Sequence, residues 1–174
     1  MRRRYFNDHD FKTISDALDI AEDVTGNYYR FSLEQWKRHC YDIKTLWSLN
    51  HGEISQHAFA VLNWGSMVTV DHVLKSSVRD FFFICLQDHI ILNAVARDSG
   101  IALLPILIYI LTHELVHIVR FSSFLQRVDL SFDKRAKEEQ TVHDLTFNLL
   151  KDLPIPKLCD VLDRYQGHRI CAFA

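Results

Sequence analysis

Between Ile101 and Phe121 the chain is apolar almost throughout, broken near the middle by His113-Glu114-Leu115-Val116-His117 and near the end by Arg120. A run this long outlasts any ordinary strand, so it must be a helix, and one apolar on every side has to be buried. That helix then carries two imidazoles and a carboxylate into a dry interior, where polar groups must find partners. His113 and His117 stand four residues apart, one turn above each other on one face, so both rings can reach a single metal ion. Glu114, between them, points to the rim of that face, where a zinc-bound water would sit and a carboxylate could take its proton. The competing reading is a pair of core histidines that happen to share this spacing.

Composition limits the rest. A chain of 174 residues fits one domain with a true hydrophobic core, so a single domain over 1–174 is expected. A net charge of −2 with 48% apolar residues describes an ordinary globular protein and offers no basic excess for nucleic acid. Arg2-Arg3-Arg4 is not followed by the apolar core of a secretory signal, and Cys40, Cys85, Cys159 and Cys171 form neither a CxxC pair nor a dense disulfide framework. The expectation is a cytoplasmic protein with reduced thiols. The most apolar segment, Ile101 to Leu111, is about half the length of a bilayer span and contains Pro105, so no membrane partner is expected either.

Apolar spacing predicts a first helix over Asp10–Val24, ending near Gly26, and a second capped by Ser32 and running from Leu33 to about Leu49. This N-terminal helical part covers about 1–55. Ala58 to Trp64 leans to strand, and Asp80–Leu86 with His89–Val95 reads as a β-hairpin turning at Gln87-Asp88, placing a sheet at about 57–95. The metal-site helices follow at about 101–152, with Pro105 in the first turn of one and Asp133 as N-cap of the other, which should run to Asp152. The fold class is therefore α+β: N-terminal helices, a small mixed sheet and two facing C-terminal helices.

Two histidines do not complete a catalytic zinc site, which usually takes three protein ligands and leaves one position to water. A third His six residues after His117 is absent, since Ser123 stands there. Glu138 and Glu139, 21 and 22 residues past His117, leave room for a turn and an antiparallel return. At about 100° per residue Glu139 shares a face with His143 and Thr146, while Glu138 lies nearer the Leu145/Leu149 stripe. Register leaves both open. Tyr109, one turn before His113, is expected as core, and His143 and Glu138 are candidates to support or orient the ligands.

The string HELVH, then Glu139-x-x-Val142-His143-x-Leu145-Thr146-x-x-Leu149-Leu150 and Pro154, resembles the gluzincin metallopeptidases, above all the small anti-repressor peptidases that cleave phage and mobile-element repressors. Those carry HELGH followed by E-x-x-A-N-x-F-A-x-x-L-L and a proline; here Val116 stands for the Gly and Val142-His143 for the Ala-Asn. The resemblance spans roughly residues 80–155. It implies a zincin-like fold, His113, His117 and Glu139 as zinc ligands, and Glu114 as catalytic base. The function it implies is zinc-dependent hydrolysis of a peptide or protein substrate, with an edge strand within Asp80–Val95 holding that substrate. The alternative is a zincin-like metal-binding domain that acts in protein–protein interaction without catalysis.

Overall fold

The N-terminal segment is committed to helix by a reciprocal cap at Asn7. Its side-chain oxygen accepts from the N–H groups of His9 (2.9 Å) and Asp10 (3.1 Å), and the Asp10 carboxylate accepts in return from the Asn7 N–H at 3.0 Å. In the computed structural model, which describes residues 4–36, 39–71, 75–122, 132–165 and 171–173, this helix, α1, runs Asp8–Tyr29. It passes Gly26 and ends at Arg30, whose φ of 56° is left-handed. Its inward face carries the fully buried Ala17 and Ala21, small enough to bring α1 close against the central helix.

The second predicted helix is corrected. Ser32 and Gln35 do form the expected box (2.8 and 3.2 Å), but helix α2 spans only Leu33–Trp36, and Cys40–Lys44 is a strand, β1. Its pairing with a Phe-rich partner strand supplies a backbone ladder that outweighs the helical spacing of Cys40, Ile43 and Leu46. Trp47, within the stretch expected to be helical, is 85% exposed. After a 3-10 turn at His51–Glu53 come β2 (Ala60–Asp71) and β3 (Lys75–Leu86).

β2 and β3 are the real hairpin, antiparallel from Ala60↔Leu86 to Asp71↔Lys75. The predicted hairpin at Gln87-Asp88 does not form, because His89–Val95 belongs to a helix, α3 (Asp88–Arg97). Gln87 and Asp88 are not turn residues but a buried polar junction. The Gln87 amide accepts from the Ser55 N–H (2.9 Å) and donates to the carbonyls of Glu53 (2.9 Å) and Cys85 (3.1 Å). The Asp88 carboxylate accepts from the N–H groups of Phe6 (3.1 Å) and Leu46 (2.8 Å). A two-residue hairpin would need glycine-like backbone there, whereas Gln87 has φ −101°.

The apolar run forms helix α4 (Leu103–Ser122), with Pro105 in its first turn as expected. Every residue from Pro105 to Val119 is buried. By length and composition this helix could cross a membrane, since apolar residues flank HELVH on both sides, but most of it is enclosed by the protein itself. It packs on α1, on α5 (Phe132–Leu150), on α6 (Leu158–Tyr165) and on the sheet. Helix α5 begins before Asp133, which therefore lies within its first turn rather than capping it, and ends two residues short of Asp152. The stretch 123–131 lies outside the described residues.

The sheet is mixed, in the order β1-β3-β2-β4, with β1 parallel to β3 and β4 (Cys171–Phe173) parallel to β2. The described residues are thus an α+β arrangement of six helices around and beside one small mixed sheet. Residues 81–85 of β3 are paired on both sides, so the stretch expected to be a substrate-binding edge is internal to the sheet.

Candidate metal centre

On α4 the pair His113 and His117 projects toward α5, and both rings are fully buried with centroids 4.7 Å apart. Their Nε2 atoms point at each other at 3.1 Å. The residue that meets them from α5 is Glu139. Its Oε1 lies 3.2 Å from His113 Nε2 and its Oε2 lies 3.3 Å from His117 Nε2. These are ion-pair separations without well-formed hydrogen bonds to either carboxylate oxygen among the described residues. His143, one turn along α5, brings its Nε2 to 3.4 Å from Glu139 Oε1, and its ring centroid is 4.7 Å from that of His113.

The two adjacent glutamates are separated by their partners. Glu138 takes a forked pair of hydrogen bonds from Arg120, Nε to Oε1 at 2.5 Å and Nη2 to Oε2 at 2.8 Å. It is therefore turned to Arg120 and not to the imidazoles. Arg120 lies three residues beyond His117, so the same pair ties α5 to α4 beside the cluster.

Burial sets the protonation of the cluster. It pushes the His113 imidazole down to about 4, with His117 and His143 adding to the effect and Glu139 opposing it, so the ring is neutral at pH 7. Burial by itself would raise the Glu139 carboxyl, but the three imidazoles around it outweigh that and hold it well below the usual range. Neutral imidazole and ionised carboxylate are the forms that bind a metal.

Tyr109 is buried core, as its spacing predicts, and it is also part of the cluster. Its Oη donates to the Tyr165 carbonyl at 3.0 Å and stands 3.3 Å from His143 Nδ1. Burial, then the charge of Glu139, raises its phenol above the ordinary range, which keeps the O–H in place. The one trace of this in the sequence is its position four residues before His113, on the same helical face.

Glu114 is fully buried next to His113 on α4. It lies close enough to β3 for its charge to act on Cys85, whose thiol is pushed up to about 12 by burial first, then by Glu53, with Glu114 adding less. Within the cluster the exposed side chains are those on α5, Glu139 at 14% and His143 at 6%, while His113 and His117 are fully enclosed. A separate cavity of about 360 Å³ between α1 and β1, with Glu22, Trp36, His39 and Tyr41 in its walls, shares no residue with the cluster.

These donors fit a metal ion of intermediate softness such as zinc. Up to three imidazole nitrogens and a carboxylate oxygen converge from two helices, and ligand atoms of His113, Glu139 and His143 lie close enough together to hold one ion. Compared with known proteins, the chain matches no family model, no curated protein and no solved structure.

Proposed function

We propose that the protein is a zinc-dependent peptidase of the gluzincin type, with a zincin-like arrangement of its metal-site helices. The observation that carries this reading is the meeting of His113, His117 and Glu139 at 3.1–3.3 Å across two helices, although Glu139 lies far along the chain from both. His113 and His117 would hold the ion through their imidazoles, and Glu139 through its carboxylate. Bound zinc would polarise a scissile carbonyl and make its water more acidic. Glu114, adjacent to His113, takes the water's proton on its carboxylate and returns it to the leaving amine. The dry surroundings of α4 strengthen each of these charge interactions relative to water. The substrate class is peptide or unfolded protein.

One observation favours the second reading, a metal-stabilised interaction domain without turnover: His113, Glu114 and His117 are each fully buried. Zinc analysis of purified protein, paired with cleavage of an unstructured protein by wild type and Glu114→Gln, tests the proposal. Stoichiometric zinc with cleavage lost in the variant is expected. Stoichiometric zinc with equal cleavage by both proteins rejects the mechanism.

A further inference from the structure

The hydrogen-bond inventory around His143 reaches beyond the three ligands above. Tyr109 has one hydroxyl proton, and at ordinary pH a phenol keeps it. That proton is directed to the Tyr165 carbonyl at 3.0 Å. Toward His143 Nδ1, at 3.3 Å, the Tyr109 oxygen can therefore act only as an acceptor. That contact is a hydrogen bond when the ring carries a hydrogen on Nδ1, the tautomer whose Nε2 can bind a metal. On the other side of the ring, Nε2 lies 3.4 Å from Glu139 Oε1. Ligand atoms of His113, Glu139 and His143 all lie within 4.8 Å of one another, a grouping that can hold a metal ion.

We infer that His143 is a fourth protein ligand, binding the metal through Nε2, and that Tyr109 is the positioning residue that sets its tautomer. The inference rests on the metal site proposed above and changes its character. The ligand set becomes three imidazoles and one carboxylate, contributed as His113 and His117 from α4 and Glu139 and His143 from α5, with Tyr165 at the end of α6 anchoring the phenol. Four protein donors complete a tetrahedral zinc, so a reacting water would have to join as a fifth ligand or displace one of the four.

The test uses the full chain loaded with zinc. X-ray absorption at the zinc edge should count three imidazoles in wild type and two in His143→Gln, whose zinc affinity, measured by chelator competition, should fall by at least about tenfold. Tyr109→Phe keeps the ring that packs on Tyr165 but removes the hydroxyl. It should retain zinc with affinity lower by roughly 10- to 100-fold. In the metal-free protein, imidazole nitrogen NMR should show His143 as the Nδ1–H tautomer in wild type and a mixture in Tyr109→Phe. Stoichiometric zinc bound by only two imidazoles in wild type would overturn the fourth ligand while leaving the peptidase reading intact. Absence of bound zinc from wild type would overturn both, and an unchanged tautomer in Tyr109→Phe would remove Tyr109 from its positioning role.

Discussion

Arg120 grips Glu138 with two parallel hydrogen bonds, and that grip decides which of two neighbouring glutamates faces the histidines. Successive residues on a helix point about 100° apart, so fixing Glu138 toward Arg120 turns Glu139 toward His113 and His117. Guanidinium and carboxylate match as planar forks, a geometry that a lysine at position 120 could not supply.

The two glutamates should therefore separate by phenotype. Glu139→Gln is expected to lose most of its zinc while folding. Glu138→Gln should keep its zinc but lose about 1.5–3 kcal/mol of stability with the charged hydrogen bonds. Metal analysis and chemical denaturation of both variants check this, and zinc loss in Glu138→Gln with retention in Glu139→Gln would reverse the assignment.

Glu114 divides holding a metal from using it. Glu114→Gln preserves size and a carbonyl oxygen but cannot accept a proton, so cleavage of an unstructured protein should fall by on the order of 100-fold or more. Zinc content should stay at the wild-type level in the same preparation.

The metal-free protein should weaken on acidification. His113 is held at about 4 when folded, against about 6.5 unfolded, so between these values the unfolded chain binds the extra proton. The stability associated with the neutral buried ring is complete above about pH 6.5 and is lost as pH falls toward 4. The loss is on the order of 3 kcal/mol, and Glu139, with its carboxyl also depressed, acts in the same direction at lower pH. Denaturation of metal-free wild type and His113→Gln at several pH values isolates the term, and parallel pH profiles for the two proteins would contradict it.

Asp88 ties the N-terminal segment, the Leu46 loop and the start of α3 together through its two oxygens. Asp88→Asn can accept from only one of the two N–H groups and sets its amide against the other. A buried donor left without a partner costs about 1–3 kcal/mol. Denaturation midpoints should show that loss, and an unchanged midpoint would mean the junction relaxes freely.

Sequence alone determined the parts that follow from local chemistry and from one element's own periodicity. The all-apolar run could only be a buried helix, HELVH could only set two imidazoles one turn apart, and the Ser32/Gln35 cap forms where its residues stand. Spacing brought both Glu138 and Glu139 within reach of the histidines, but the choice between them required Arg120, a residue on another helix. The same holds for β1, where helical spacing yielded to a ladder with β3, and for α3, where Gln87 and Asp88 resemble a turn until their partners at Ser55, Glu53, Phe6 and Leu46 are seen. Tyr109 is indistinguishable from any core aromatic until α5 and α6 bring His143 and the Tyr165 carbonyl to its hydroxyl. Periodicity records which face of an element is buried; it carries no information about which distant polar group waits there, because that partner is set only when the elements pack.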